Sequence, residues 1–393
     1  MVDVTPSAVR TEVIVVGAGP AGSTAAMRLA EKHDVVLVEE HPSPGEPLQC
    51  AGLVTPRGVP AFARKSVISK IKGVRFHSPL GYTLSLDAKD TRAFVIDRTV
   101  FDRILFDKAV DGGASVLLGS SVLSVTDGGP ETIAQLRSSN GVSEVRSKAV
   151  IGADGYRSVC RSCAGLPPPR HMLRGIQVDL TGLEIQEDRV EIFLGRSVAP
   201  GFFAWVIPAG DVTRVGLCTW KSDHAPAEYL KELLSRPEFC GGRKVSSASG
   251  KIPIGPGRSA RSGRILLVGD AACHAKPLSG GGVYTGIKGA ELCSDAVASY
   301  LSTSDENALG GYDTLWKASF GKELSRAFRL RKIFLALSDK KMDKALRVFD
   351  EPELRAFMEE RGDIDYPASL SSSVLKLAPK LAQFSPQLIE SLL

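Results

Sequence analysis

The chain alternates short, uninterrupted apolar runs with glycine-rich turns and helical stretches. A polar tail over 1–11 gives way to an apolar run from Glu12 to Val16. Gly17-Ala-Gly-Pro-Ala-Gly22 follows directly, then a helical pattern from Ser23 to Glu31 and a second apolar run from Val35 to Val38. Apolar runs of this length on either side of a helical period predict two buried parallel strands joined by a crossover helix. The Pro- and Gly-rich stretch from Pro42 to Pro60 predicts a functional loop. Short alternating segments from Val74 to Ile96 predict antiparallel strands, and Arg98 to Asp111 predicts a helix with Phe101, Ile104, Leu105 and Ala109 on one face. Strands are expected again up to Ile151 and over 171–219, with turns at Thr181-Gly182 and Ala209-Gly210-Asp211. Ile265 to Val268 reads as a further buried strand, followed by Gly269-Asp270 and a helix starting near Gly282. Beyond Leu301 the pattern is helical, with amphipathic stretches around 316–337, 341–349, 351–360 and 373–392.

Nucleotide-type motifs near both ends of this pattern imply a discontinuous cofactor domain. The fold class expected is α/β (α+β): a Rossmann-like domain from 1–72, 97–170 and 258–303, an inserted antiparallel-sheet substrate domain from 73–96 and 171–257, and a helical C-terminal region over 304–393. Hydrophobic residues make up 43% and charged residues 24% of the 393, which supplies ample core for such an assembly. The net charge of +5 is mild, and no basic stripe with interleaved aromatics suggests nucleic acid. The seven cysteines are scattered, no secretory leader is read and no apolar run approaches the ~18 residues of a spanning helix, so a reducing, cytoplasmic location is expected. Cys160-x-x-Cys163 has no second pair of matching spacing and reads as two free thiols; the six histidines show no ligand spacing, and no metal is expected.

Gly17-x-Gly19-x-x-Gly22 lies between a strand and a helix. The first glycine permits the tight turn, the second lets a pyrophosphate approach the backbone, and the third lets the helix pack on the sheet. The helix N-terminus adds N–H donors for phosphates. Glu39, at the end of the second strand, is placed to accept hydrogen bonds from ribose hydroxyls. Two more motifs follow strands: Ala153-Asp154-Gly155 and Leu267-Val268-Gly269-Asp270-Ala271-Ala272. Either Asp can hold a ribitol hydroxyl or cap a helix. Together with Ile96-Asp97-Arg98-x-x-Phe101-Asp102, the set resembles the flavoprotein fold of p-hydroxybenzoate hydroxylase over roughly residues 12–300, which implies FAD as cofactor.

Three further segments resemble the geranylgeranyl reductase family, especially its archaeal members that saturate isoprenoid chains of membrane lipids. They are Gln49-Cys50-Ala51-Gly52-Leu53, Pro200-x-x-Phe203-x-Trp205-x-Ile207-Pro208, and Lys276-Pro277-Leu278-Ser279-Gly280-Gly281-Gly282-Val283. The family's aromatic motif usually has Tyr and Phe where Phe203 and Ile207 stand here. The resemblance implies flavin contacts at Gly22, Glu39, Cys50, Ala51, Leu53, Arg98, Val122, Asp270, Gly282 and Val283, with Val122 acting through its backbone. With Gly17, Gly19, Asp154, Gly269 and Gly281 these form the candidate cofactor site.

Gly280-Gly281-Gly282 ahead of a helix lets the backbone lie close to a flavin ring and turns a helix N-terminus toward the charge that reduced flavin carries. The activity expected is reduction of carbon–carbon double bonds by hydride transfer from reduced flavin, with Phe203 and Trp205 lining an apolar substrate tunnel. Cys50, Tyr284 and His274 are candidate proton donors, Cys50 foremost because the resemblance places it by the flavin. The implied partners are an isoprenoid lipid, an external electron donor (ferredoxin, deazaflavin or NAD(P)H) and, for a lipid substrate, a peripheral membrane contact through the C-terminal helices. Two other readings stay open at this point. Phe203-x-Trp205-x-Ile207-Pro208 is one aromatic away from the halogenase pattern, so an oxygen-using halogenase or aromatic hydroxylase competes, and so does a flavoprotein that only carries a lipid.

Overall fold

The structure, a computed structural model, describes residues 9–255 and 259–384. The start of the expected polar tail and the end of the stretch expected to be helical over 373–392 lie outside the described residues. The central sheet has six strands in the order Arg261–Ser262, Ile265–Leu267, Ala149–Gly152, Val13–Val16, Val35–Val38, Ser115–Leu117. All pair in parallel except the edge strand Arg261–Ser262. The four inner strands are buried at every position, as strands covered on both faces must be, which is why they read as unbroken apolar runs. The helix Pro20–Ala30 packs on this sheet and against Val283–Thr303; the small residues Gly22, Ala25 and Ala26 of the first and Gly286, Gly289 and Ala290 of the second are buried and let the two helices approach closely.

A four-stranded sheet, ordered Val9–Arg10, Gly141–Ser147, Thr132–Ser138, Ser121–Asp127, lies beside it. Arg264, buried next to strand Ile265–Leu267, ties the two together: its Nε donates to Asp127 Oδ1 at 2.9 Å and its Nη1 to Pro130 O at 2.8 Å.

The third sheet has seven strands: Arg243–Ile254, His171–Thr181, Val212–Thr219, Ala204–Ala209, Arg189–Phe193, Gly73–His77, Thr83–Asp87. It is antiparallel apart from one parallel pair, Arg189–Phe193 with Gly73–His77. One expected member is elsewhere. Ala93–Ile96 joins Leu53–Val54 and Val67–Ile71 in a separate three-stranded sheet. Burial explains the difference: Ala93 and Val95 are enclosed with Ile71 on one side and with Val190, Ile207 and Ala209 of the large sheet on the other, so this segment cements the two sheets rather than extending one.

The C-terminal region is helical through Asn307–Trp316, a π-turn at Lys317–Gly321, and then Lys322–Ala336, Asp339–Phe349, Pro352–Arg361 and Ser371–Leu377. The helix Asn307–Trp316 falls in the stretch expected to be helical beyond Leu301, although Gly310 and Gly311 lower its intrinsic preference. Tertiary contacts hold it instead: Leu309, Tyr312 and Trp316 are fully buried, and the Tyr312 hydroxyl donates to Leu267 O at 2.7 Å. Among the described residues no helix is long and apolar enough to cross a membrane.

Replacing Asp127 by Ala would leave the buried Arg264 guanidinium with only the more distant, exposed carboxylate of Glu306, 3.7 Å from Nε. Asp127→Ala is expected to cost about 3 kcal/mol of stability, read from urea unfolding; a loss no larger than a surface substitution gives would show that the two sheets are not held by this pair.

Candidate functional site

The motifs converge because their strands run in the same direction. Gly17 follows Val13–Val16, Glu39 follows Val35–Val38, Ala153 follows Ala149–Gly152, and Val268 follows Ile265–Leu267. Gly17 has φ +96, and a Cβ there would sit 2.5 Å from Ala153 O. Gly22 is not on the cavity wall; a Cβ on it would reach within 1.8 Å of Gly17 O, so it serves the close packing of helix on turn. Gly19, by contrast, has nothing within 4 Å of a Cβ and faces open space. The Glu39 carboxylate is fastened to the turn itself: Ala18 N–H donates to Oε2 at 2.7 Å and His41 N–H to Oε1 at 2.9 Å. Oε1 also meets His41 Nδ1 at 2.7 Å, so Oε2 is the oxygen that keeps a second lone pair for a hydroxyl on a ligand.

The two aspartates divide their roles. Asp154 accepts from Ser158 Oγ at 2.6 Å and from Cys160 N–H at 3.0 Å, so its carboxylate is engaged at the start of the short helix Val159–Cys163. The Asp270 carboxylate has no hydrogen-bond donor among the described residues and faces the cavity. Loss of solvation pushes its carboxyl up to about 6, with the Arg98 cation opposing. Gly282 lies beside it, where a Cβ would sit only 3.2 Å from Asp270 Oδ1, and it opens the helix Val283–Thr303 with no side-chain cap among the described residues; Gly280 and Gly281 precede it on the cavity wall. The first-turn N–H groups therefore stay available to an anionic or carbonyl edge placed there.

Arg98 donates from Nε to Asp102 Oδ1 at 2.9 Å and from Nη2 to Oδ2 at 2.8 Å, and it also meets the Cys50 thiol. Burial works against its charge, but Asp102 and Cys50 outweigh that and hold its proton above the ordinary arginine range. Cys50 itself lies in the loop Gln49–Gly52, whose Ala51 carbonyl accepts from Arg214 at 2.9 Å.

One cavity of about 1420 Å³ joins these groups. Gly17, Gly19, Glu39, Cys50, Ala51, Leu53, Arg98, Val122, Asp154, Gly269, Asp270, Gly281, Gly282, Val283, Phe203 and Trp205 all line it; of the residues expected to hold the cofactor or line the tunnel, Gly22 does not. Its volume exceeds the ~300–1,000 Å³ of ordinary ligand pockets, which leaves room for a dinucleotide and a second molecule. Trp205 and Ile207 point to it from one face of their strand while Ala204 and Val206 pack into a core on the other, as the two-residue period requires. Phe202 and Phe203 stack at 4.1 Å, Phe203 meets Trp205 edge-on at 6.3 Å, and the indole N–H donates to Gln177 Oε1 at 3.2 Å.

Two candidate proton donors do not reach the cavity. His274 is fully buried between Trp316 and Phe320, has no hydrogen-bond partner among the described residues on either ring nitrogen, and burial pushes its pKa down to about 3. The Tyr284 hydroxyl faces the Tyr366 hydroxyl at 3.0 Å, outside the lining. Cys50 alone of the three lies on the wall.

Several wall residues were not singled out from the sequence. Lys276 donates to Asp365 Oδ1 at 2.5 Å, both buried, and Thr55 Oγ1 donates to Asp365 Oδ2 at 2.6 Å. Arg331, Phe334, Leu346 and Phe349 bring the C-terminal helices onto the cavity. Lys276 stands at the head of the glycine motif, a usable signal; the helical residues carry only the amphipathic period that any packed helix has.

Without FAD the fold holds the Asp270 proton more tightly than an unfolded chain, whose carboxyl titrates near 3.8, so this residue lowers stability progressively as pH rises from about 4 through about 6. Asp270→Asn is expected to stabilise the FAD-free protein by about 3 kcal/mol above about pH 7 and to leave it unchanged below about pH 4, in thermal melts. The same substitution should weaken FAD binding about tenfold, through loss of a charged hydrogen-bond acceptor. A stability gain independent of pH would contradict the assignment of the shift to this carboxyl.

The comparisons with known proteins agree with the geometry. Residues 10–232 match the FAD binding domain family. The chain is 31% identical over 374 residues to a digeranylgeranylglycerophospholipid reductase of Methanothrix thermoacetophila, covering 90% of this chain and 94% of that one. It is 32% identical over 371 residues to an uncharacterized protein of Methanocaldococcus jannaschii, covering 93% and 95%. A geranylgeranyl bacteriochlorophyll reductase-like structure from Thermoplasma acidophilum superposes with a TM-score of 0.85 at 23% identity, over 98% of this chain and 99% of that one. A flavin-dependent brominase superposes less closely, with a TM-score of 0.73 at 16% identity over 95% and 100%. The chain therefore belongs to the FAD binding domain family of oxidoreductases, within its geranylgeranyl reductase group.

Proposed function

We propose that this protein saturates carbon–carbon double bonds of geranylgeranyl or related isoprenoid chains, in lipids of the archaeal membrane type. The observation that carries the reading is the cavity itself: one continuous space runs from the dinucleotide cradle to an apolar end lined by Phe76, Leu84, Ile192, Leu194, Phe334 and Leu346. A small aromatic substrate does not need that length; a branched hydrocarbon chain does. The name of the Methanothrix relative supports the same substrate class.

In this reading Glu39 would hold the ribose, the Gly17–Gly22 turn the pyrophosphate, Asp270 a ribityl hydroxyl, and Gly280–Gly282 the ring. Val122, through its backbone, would hold the adenine, and Ala51, Leu53 and Val283 would pack around the cofactor. When bound and reduced, FAD would supply the hydride for one carbon of the double bond. Phe203 and Trp205 set the chain against the ring and exclude water. The other carbon takes a proton from the Cys50 thiol, and the Arg98 cation stands beside the negative charge then left on sulfur. Water returns the proton to Cys50 between turnovers, so the net change is two hydrogens added per bond. The oxygen-using alternative rests on the Phe203-x-Trp205 spacing and on fold likeness alone.

The test is anaerobic turnover of the dithionite-reduced protein with geranylgeranyl-bearing lipids, followed by mass spectrometry. A gain of about two mass units per double bond is expected. Cys50→Ala should keep its FAD and lose on the order of a hundredfold in turnover, the usual worth of a positioned general acid. No mass gain, combined with halogenation or hydroxylation of an aromatic probe in air, would replace this reading with the oxygen-using one.

A further inference from the structure

The charge of the chain is unevenly placed. Residues 322–349 hold nine Lys and Arg against three acids, a net +6, while the whole chain has +5; the remainder is close to neutral. Two of those acids are spent inward: Glu323 Oε1 accepts from Ala368 N–H, and Asp343 accepts from Ser78 Oγ and from Arg347. Lys340, Lys341 and Lys344 are exposed on the helix Asp339–Phe349, and none forms an ion pair with a described residue. Met342 and Leu346, on the opposite face, are buried among Leu84 and Leu194 at the apolar end of the cavity. A single helix, about 10 Å across, thus separates a hydrocarbon-lined space from a row of unpaired ammonium groups.

Beside this helix stands the hairpin that joins Gly73–His77 to Thr83–Asp87. It is fastened there by Ser78 on Asp343, by the Tyr82 hydroxyl on Asp350, and by Arg347 over the Tyr82 ring at 4.1 Å. Its tip carries Leu80, at 59% exposure the most exposed of the large apolar side chains among the described residues. An apolar tip next to unpaired lysines suits an interface where headgroup phosphates meet hydrocarbon. An acidic protein partner would account for the lysines but gives the leucine nothing to enter.

We propose that the solvent face of the helix Asp339–Phe349, with the Leu80 tip, docks the protein on an anionic lipid surface. Lys340, Lys341 and Lys344 engage phosphates while Leu80 enters the headgroup boundary, which sets the apolar end of the cavity one helix width from the lipid. The proposal rests on the isoprenoid-lipid reading for its purpose, but its evidence is charge and exposure.

The experiment is co-sedimentation of the intact, FAD-loaded protein with vesicles of phosphatidylcholine alone or mixed with phosphatidylglycerol, at low and high salt. Binding to the anionic vesicles only, abolished by high salt, is expected. The triple variant Lys340→Gln, Lys341→Gln, Lys344→Gln should bind on the order of a hundredfold more weakly, at roughly fivefold per basic residue removed. Leu80→Ser should weaken binding at low salt while keeping the salt dependence. Both variants should keep FAD content, melting temperature and turnover of a detergent-dispersed lipid. Unchanged binding of the triple variant, or no binding by the parent protein, would overturn the docking surface. So would a triple variant that binds vesicles normally but accepts electrons poorly from an acidic iron–sulfur protein, which would assign the face to the electron donor. Vesicle binding without any double-bond reduction would leave this surface standing and sink the reductase reading, and the reverse result would do the opposite.

Discussion

Four parallel strands end at one edge of the central sheet, in register, and every nucleotide motif depends on that alignment. Val16 pairs with Val38 and with Gly152, and Gly152 pairs with Leu267. The next residue of each strand is still hydrogen-bonded to its neighbour: Gly17 N–H to Val38 O at 2.7 Å, Ala153 N–H to Val16 O at 2.7 Å, Val268 N–H to Gly152 O at 2.9 Å. Each turn therefore begins at a fixed height above the sheet. A slip of one residue in any strand would invert its side chains and carry its motif out of the cavity. The unbroken burial of these strands is what forbids the slip.

Charges within the site are placed at a cost to the fold. Among the described residues Asp270 stands without a protein donor, and Lys276 and Asp365 are buried as a pair. A buried pair of this kind adds little net stability, but removing one partner is expensive, so it specifies an arrangement more than it strengthens one. What it specifies here is the seat of the C-terminal region: Asp365 receives Lys276 from the glycine loop and Thr55 from the loop after Cys50. Arg331 does similar work farther along, reaching the carbonyls of Pro277 and Gly201 while lying over Phe202 at 5.2 Å. The late helices are thus bolted to the loops that surround the flavin position, and they close the cavity with Phe334, Leu346 and Phe349.

The large sheet contributes by its two faces. Ala204 and Val206 build a core with Val178, Val215 and Leu217, while Trp205 and Ile207 on the other face look into the cavity. The same backbone alternation therefore supplies a rigid support and a hydrocarbon wall. The helix Asp339–Phe349 repeats the device at a period of 3.6, with Leu346 inward and Lys344 outward.

Local chemistry wrote most of the cofactor half into the sequence. The Gly17–Gly22 turn, Glu39, Arg98 with Asp102, and Asp270 with Gly280–Gly282 are each a short motif whose residue types follow from what a strand-to-helix turn can present to a dinucleotide. Long-range burial decided the rest. It engaged Asp154 at a helix start and left Asp270 open, although both follow strands in the same way. It took His274 out of contention by enclosing it behind Trp316 and Phe320. It moved Ala93–Ile96 into a small sheet of its own, and it paired Lys276 with an aspartate 89 residues away. A turn motif is complete within a few residues, so its meaning is local. A cavity wall is assembled from segments distant in the chain, and which side chain faces it is settled only when those segments pack.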